Sequence, residues 1–174
     1  MASSSQTIAA VRNAPNEIVQ DMFRTLVERW RGSARIAGVI AEGHGLPGRA
    51  CNAGFLRHVG TGERFPIFQD LGPGSTACHL EGAGALTAAR AVQGDIAAGC
   101  DLVVLSKFGK LEAGGKGLRD AFVSAMEAHI PLLTSVSAAL EEAWARFAGP
   151  SSVIVSADTT EIDAWWRSVG RRRD

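Results

Sequence analysis

The sequence has no net charge and no long apolar run. Eighteen basic and eighteen acidic side chains cancel in a chain of 174 residues, so no overall field attracts nucleic acid or an anionic lipid surface. No apolar run approaches the roughly 20 residues that cross a membrane. The amino terminus, MASSSQTIAAV, lacks the basic region and the long apolar region of a secretory signal. The sequence therefore predicts a partner that is neither nucleic acid nor a membrane.

Cysteine is scarce and irregularly placed. Three cysteines, an odd number without regular spacing, argue against a disulfide framework. With no signal peptide, this composition favours the cytoplasm. Cysteine and histidine also form no CxxC or HxxxH pair, so a zinc site would need ligands from separate loops. We therefore predict no metal site, and these residues identify no cofactor.

Short apolar runs alternate with amphipathic stretches along the whole chain. The length predicts one domain over 1–174, with flexible tails at 1–5 and 170–174. Strands are predicted at 7–11, 35–43, 101–106, 130–136 and 151–157, and a hairpin in AGFLRHV and ERFPIFQ. Helices are predicted from Pro15, over 85–98, over about 117–129, after Ser137, and after a capping box of Thr160 and Asp163.

This alternation predicts an α/β fold. Continuous apolar strands between amphipathic helices are typical of a mainly parallel sheet covered on both faces, which gives three layers. In such sheets ligands bind outside the carboxyl ends of the strands. Ligand-binding residues are therefore expected in the loops that follow the predicted strands.

The loop after the first strand, RNAPN, occupies the place of a phosphate-binding loop. It has no GxxxxGK[ST] pattern, and without glycine the backbone cannot curl its N–H groups around a phosphate. Pro15 removes one donor at the following helix, and Arg12 is the nearby cation. As a nucleoside triphosphate site, this loop is degenerate.

The segment LVVLSKFGKLEAGGKG begins with a predicted strand. Directly after that strand it has lysines, where nucleotide-binding proteins often have acidic residues. Lys107, Lys110 and Lys116 follow Ser106, and Glu112 is the acid among them. Glycines before a helix could let the backbone approach an anion, and Lys107 is expected to be partly desolvated. The alternative is that the lysines are solvated and Glu112 pairs with Lys116 at i,i+4 spacing.

The segment DLGPGSTACHL is a second candidate loop. Its flexible backbone and hydroxyls could form a cradle of neutral donors for a small anion, with two softer side chains as ligands or support. The donors are Gly72, Gly74, Ser75 and Thr76, and the softer side chains are Cys78 and His79. The alternative is a turn that only reverses the chain.

Two resemblances follow from these segments. DLGPGSTACHLEGAGAL, DLVVLSKFGKLEAGGKGLRDAF and IPLLTSVSAAL together resemble an uncharacterised bacterial family, a domain of unknown function often encoded beside molybdate ABC transporters. More distantly, ARIAGVIAEG and GFLRHVGTGERFPI, followed by the lysine segment, are similar to small P-loop nucleoside triphosphatases. On that resemblance Ser106 and Lys107 replace two acids, while Gly109 and Glu112 are retained. It implies a P-loop-like fold that has lost its phosphate cradle and metal ligand.

The sequence therefore favours a non-enzymatic protein that binds an oxyanion and serves molybdenum or tungsten homeostasis. Molybdate or tungstate is the first expected ligand and a nucleotide the second, and a protein partner in molybdenum metabolism is expected. Two alternatives stay open: a divergent nucleoside triphosphatase or kinase-like enzyme, and a partner-binding regulator with a vestigial site.

Overall fold

The fold is described from a computed structural model that covers residues 6–43, 45, 53–67 and 82–170. The strands are β1 (Ile8–Arg12), β2 (Ile36–Gly43), β3 (Ala53–His58), β4 (Arg64–Pro66), β5 (Leu102–Leu105), β6 (Leu132–Ser135) and β7 (Ser152–Ser156). The helices are α1 (Asn16–Trp30), α2 (Gly82–Ala98), α3 (Lys110–Ala113), α4 (Arg119–Glu127), α5 (Glu141–Ala148) and α6 (Thr159–Gly170), with short 3-10 turns at Ala138–Leu140 and Gly149–Ser151. None of these helices is long and apolar enough to cross a membrane.

The strands form one seven-stranded sheet in the order β4-β3-β2-β5-β6-β1-β7. Strands β2, β5, β6, β1 and β7 run parallel to their neighbours. Strands β3 and β4 extend the sheet antiparallel beyond β2, as the hairpin pattern predicts. The mainly parallel α/β sheet is therefore confirmed, and it is consistent with a P-loop-like fold.

Each face of the sheet is covered by helices, which gives the three layers. On one face α1 and α6 bury a stripe that includes Phe23, Leu26 and Ile162. On the other, α2, α4 and α5 bury a cluster that includes Phe122 and Trp144. The apolar spacing along α1 produces this result, because residues three and four apart share one side of a helix.

Strands β2 and β5 approach each other closely at Gly38. Its φ of 138° lies in a region that side chains rarely adopt, and a Cβ there would lie 1.8 Å from the carbonyl oxygen of Val104. Gly38 therefore allows the central strand β5, which carries the lysine segment, to pair with β2.

Several helix starts differ from the sequence prediction. Helix α2 begins at Gly82 rather than at residue 85, and the helix predicted after Ser137 begins at Glu141, after a 3-10 turn. The predicted helix over about 117–129 begins at Arg119, because residues before it form the separate short helix α3. The capping box of Thr160 and Asp163 is wrong. Asp158 accepts the N–H of Thr160 at 2.8 Å, and Asp163 instead accepts from the indole N–H of Trp30 at 2.7 Å.

The carboxyl ends of the parallel strands define the edge where a ligand is expected. The chain leaves β1 toward α1 on one face and leaves β6 toward α5 on the other face. Because β1 and β6 are neighbours, the crevice at which strand order reverses lies between them. Strand β5 ends beside β6, about 10 Å from β1 at the usual spacing between strands.

Candidate functional site

Strand β5 ends at a carbonyl that is held from two sides. The main-chain oxygen of Ser106 accepts from Nε2 of Gln20 at 2.9 Å and from Oγ of Ser135 at 2.8 Å. Gln20 also accepts the N–H of Ala41 at 2.9 Å, so α1, β2, β5 and β6 are joined here. Ser106 is only 3% exposed, so it stabilises the end of β5 from the interior and is nearly inaccessible to solvent.

Lys107 leaves this anchored strand end and is exposed. The prediction that its ammonium group is partly desolvated is therefore wrong. Its aliphatic stem lies over Gly109, where a Cβ would be 3.6 Å from Cε of Lys107. Phe108 then turns inward and is 2% exposed, which fixes the direction in which Lys107 points away from the core.

Glu112 does not pair with Lys116. Its carboxylate is buried, with the residue 7% exposed. Oε2 accepts the N–H of Gly109 at 2.9 Å, and Oε1 accepts the N–H of Leu118 at 3.0 Å. The alternative of an i,i+4 ion pair with Lys116 is therefore wrong, because the carboxylate is directed at the backbone instead.

The glycine-rich turn is also less open than the sequence suggested. The N–H groups of Gly114, Gly115 and Lys116 bond to carbonyl oxygens of Lys110, Glu112 and Leu111, at 2.8 to 3.1 Å. Together with the two N–H groups bound by Glu112, these donors are already used. These N–H groups are therefore not free to bind an anion, whereas an approach of the backbone at Gly117 stays a prediction and the lysine side chains remain as donors of the segment.

All three lysines of the chain lie within residues 107–116, whereas the fifteen arginines are spread over the sequence. Lys107, Lys110 and Lys116 are all exposed. In the part of the chain that the structure describes, the ion pairs are made by arginines and His58, and no lysine is among them. The segment therefore presents three ammonium groups, and the acid that lies between them in sequence, Glu112, faces the interior.

Arg12 closes the crevice between β1 and β6. Its Nη1 atom lies 3.2 and 3.1 Å from the two carboxylate oxygens of Glu141, at the start of α5. Asn13 follows with a φ of 61°, and Pro15 precedes α1. The place of a phosphate loop thus holds an ion pair, and the positive charge of Arg12 is already matched.

The second candidate loop lies outside the described residues. Its members are Gly72, Gly74, Ser75, Thr76, Cys78 and His79. Their part in a site stays a prediction from the sequence.

A cleft that the sequence did not predict lies beside the lysine segment. It has a volume of about 490 Å³ and is lined by Phe108, Glu112, Ala113, Gly114, Gly115, Arg119, Ala143, Arg146 and Phe147. The guanidinium carbon of Arg119 lies 5.7 Å from the ring centroid of Phe147, which is within reach of a cation–π contact. No motif signals these side chains, because α4 and α5 bring them together only in the fold.

Within the described ranges, no group of three histidine, cysteine, aspartate or glutamate side chains could hold a metal ion. His58 is buried, at 6% exposure. Its Nδ1 accepts the N–H groups of Gly60 and Thr61, so its proton sits on Nε2, which donates to Asp95 at 2.6 Å. These bonds give His58 a structural role.

The fold and this edge define an α/β protein with a P-loop-like sheet and a degenerate phosphate loop. The chain belongs to the family described as "Protein of unknown function (DUF2478)", whose pattern matches residues 8–165. It is also 36% identical over 170 residues to the "Molybdenum import ATP-binding protein ModC 2" of Bradyrhizobium diazoefficiens. That match covers 95% of this chain but only 18% of the relative. No solved structure matches.

Proposed function

We propose that this chain is a cytoplasmic protein that binds a small oxyanion of the molybdate or tungstate type and does not hydrolyse nucleoside triphosphates. The site would lie at the carboxyl end of β5. Lys107, Lys110 and Lys116 would supply its positive charge, and Ser106 and Glu112 would support the fold of the segment. Its role would be in molybdenum or tungsten homeostasis.

The concentration of lysine in one short segment carries this proposal. Arginine forms the ion pairs of the described surface, whereas the three lysines stand without an acidic partner there. A lysine ammonium is a compact charge with three donors, which suits a tetrahedral dianion that presents oxygens in several directions. An anion held in this way needs no bridging metal cation.

Glu112 leaves the lysine ammonium groups without an ion-pair partner inside the segment. Its carboxylate is directed at the N–H groups of Gly109 and Leu118, so the ammonium groups stay available to a ligand. Exposed ammonium groups contribute only about 0–1 kcal/mol each in surface ion pairs. The proposal therefore also assigns neutral donors to Gly72, Gly74, Ser75 and Thr76, with Cys78 and His79 as ligands or support.

The similarity to a molybdenum import protein supports molybdate as the proposed ligand. A protein named for molybdenum import contains a segment that matches nearly all of this chain. The chain spans 18% of that relative, so the import and ATP-binding activities of the whole protein are not transferred here. We infer from this similarity that the chain has a ligand or a protein partner in molybdenum metabolism.

A thermal-shift screen tests the proposed ligand. The purified chain would be heated with molybdate, tungstate, phosphate, sulfate, ATP or GTP at constant ionic strength, because screening changes surface electrostatics. We expect saturable stabilisation by molybdate or tungstate, and its loss when all three lysines are replaced by glutamine. The Arg167→Gln variant is the control, since Arg167 is an exposed cation of α6 outside the segment.

Other outcomes favour the alternatives. Stabilisation by ATP or GTP that depends on Mg²⁺ would favour a divergent triphosphatase or kinase-like enzyme. No stabilisation by any of these ligands would contradict oxyanion binding and favour a partner-binding regulator with a vestigial site.

A further inference from the structure

A second cleft lies between α1 and the antiparallel pair of strands β2 and β3. Its volume is about 390 Å³. Arg24 and Arg31 line it from α1, and Arg57 lines it from β3. The turn that follows β3 closes one end, near the amino end of β2, because the N–H of Val59 bonds to the carbonyl of Gly38. None of the three lysines is among the described residues that line this cleft.

The three guanidinium groups have hydrogen-bond donors to spare. Arg24 contacts Asp21 at 2.6 Å, and Arg31 contacts Glu28 at 2.9 Å, each on its own helix. The side chains of Arg24, Arg31 and Arg57 are 47%, 48% and 49% exposed. A guanidinium carries five N–H donors, and exposed ion pairs are weak, so a ligand anion can compete for them.

Arg57 is placed more firmly than the two arginines of the helix. Its Nη1 donates to Oε1 of Glu42 at 3.0 Å, and Arg64 lies against the other oxygen of Glu42 at 2.9 Å. The Glu42 side chain is only 16% exposed, so it anchors Arg57 at the cleft wall. Planar guanidinium groups fixed in this way match phosphate oxygens two at a time.

The turn that closes the cleft is fixed by His58. Nδ1 of this buried ring accepts the N–H groups of Gly60 and Thr61 at 3.1 and 3.0 Å, and Nε2 donates to Asp95 on α2. Arg31 donates across the cleft to the carbonyl of Val59 at 3.3 Å. A wall held by these bonds is preorganised, which lowers the ordering cost of binding.

The lining of the cleft defines the chemical class of ligand. Val27, Ile40 and Val59 form the apolar part of the wall, in which Val27 and Ile40 are mostly buried. Glu28 and Glu42 also line the cleft, as the ion-pair partners of Arg31 and Arg57. A volume of about 390 Å³ falls within the range of small-molecule sites, roughly 300–1,000 Å³, and exceeds the need of a bare inorganic anion. We infer that this cleft binds a small organic phosphate, with the phosphate on Arg24, Arg31 and Arg57 and the organic portion on the three apolar side chains.

Calorimetry with matched ligands tests this inference. Adenosine 5′-monophosphate and phenyl phosphate are the probes. Adenosine, which lacks the phosphate, and inorganic phosphate, which lacks the organic portion, are the partial ligands. We expect saturable binding of at least one organic phosphate, and about ten-fold weaker binding of both partial ligands, since each tenfold corresponds to about 1.4 kcal/mol.

Arginine variants locate the binding. Arg24→Gln is the main variant, because its ion pair lies within α1 and exposed ion pairs contribute little to stability. We expect it and Arg57→Gln to raise the Kd of the organic phosphate about ten-fold, while Arg167→Gln leaves the Kd unchanged. No saturable binding of either probe at millimolar concentration, or equal Kd values for the parent and both cleft variants, would overturn the inference.

The lysine-free variant separates this cleft from the proposed oxyanion site. We expect it to bind the organic phosphate like the parent. Loss of that binding in the lysine-free variant would place the ligand at the carboxyl edge of β5 and overturn the inference for the cleft. Failure of molybdate binding alone would leave the cleft result unaffected.

Discussion

The carboxylate of Glu112 accepts the main-chain N–H of Leu118 at 3.0 Å, across six residues of the chain. Its second oxygen accepts the N–H of Gly109 at 2.9 Å. One buried side chain therefore joins both ends of the segment that carries Lys110 and Lys116. The result is a folded turn whose acid points inward and whose ammonium groups point outward.

Replacing Glu112 with alanine is expected to destabilise the fold. It removes two charge-assisted hydrogen bonds and leaves two N–H groups without an acceptor, which should cost about 2–5 kcal/mol of unfolding free energy. Glu112→Gln keeps one acceptor oxygen and should lose about half of that amount. Urea denaturation followed by circular dichroism measures both.

Glu142→Ala is the control for this prediction. Glu142 is 86% exposed and pairs with Arg146 on the same helix, so its loss should change stability by less than about 0.5 kcal/mol. Equal stability of Glu112→Ala and Glu142→Ala would show that the buried carboxylate does not hold the turn.

Two glycines of the same turn should respond differently to alanine. Gly117 has a φ of 61°, and a Cβ there would lie 2.5 Å from Oε1 of Glu112. Gly115 has a φ of 82°, but its Cβ would meet only Nη1 of Arg119, at 3.7 Å. Gly115→Ala should cost about 1–2 kcal/mol from backbone strain alone, and Gly117→Ala should cost clearly more because it also displaces Glu112. Chemical denaturation of the two variants compares them, and a smaller loss for Gly117→Ala would contradict the buried position of Glu112.

The positions of Gly38 and Gly94 predict opposite effects of alanine. At Gly38 a Cβ would collide with the carbonyl of Val104, so Gly38→Ala should destabilise by about 3 kcal/mol or more. Gly94 lies inside α2 with nothing within 4 Å of a Cβ, so Gly94→Ala should stabilise by about 0.5–1 kcal/mol. Thermal melting of both variants checks the pair. A tolerated Gly38→Ala would contradict the close packing of β2 on β5.

The sequence was sufficient to predict the sheet because its central parallel strands β1, β5 and β6 are buried on both faces. The run Leu102–Leu105 is fully apolar and buried, and the stripe along α1 repeats at helical spacing. The hairpin also follows from local chemistry, since Gly62 takes a φ of 76° in the turn between β3 and β4. Such features depend on a few neighbouring residues, which a sequence shows directly.

The candidate site depended on contacts that the sequence does not show. Spacing predicts that Glu112 can reach Lys116, but it cannot reveal that Gly117 leaves room for the carboxylate to turn inward. Likewise Arg12 and Glu141 are 129 residues apart, and only the adjacency of β1 and β6 brings them together. The cleft of Arg119 and Phe147 arises in the same way from the packing of α4 and α5.

Hydrolysis of ATP or GTP with Mg²⁺ is expected to be absent. The loop after β1 has no glycine cradle, Arg12 is paired with Glu141, and Ser106 and Lys107 stand at the strand end in place of acids. Release of inorganic phosphate should match the rate without protein. Turnover near about 1 s⁻¹, within the ordinary range of enzymes, that is lost in the Lys107→Ala variant would favour the enzymatic alternative.

The most direct test of the proposed site uses the three lysines themselves. Reductive methylation with ¹³C-formaldehyde preserves the positive charge and labels only Lys107, Lys110, Lys116 and the α-amino group. The NMR signals would be assigned with single lysine-to-glutamine variants and followed during a titration with molybdate at constant ionic strength. We expect saturable shifts of the lysine signals, with the α-amino signal unchanged and sulfate less effective. Small linear shifts shared equally by all four signals would show that molybdate acts only as bulk salt and would contradict the oxyanion site.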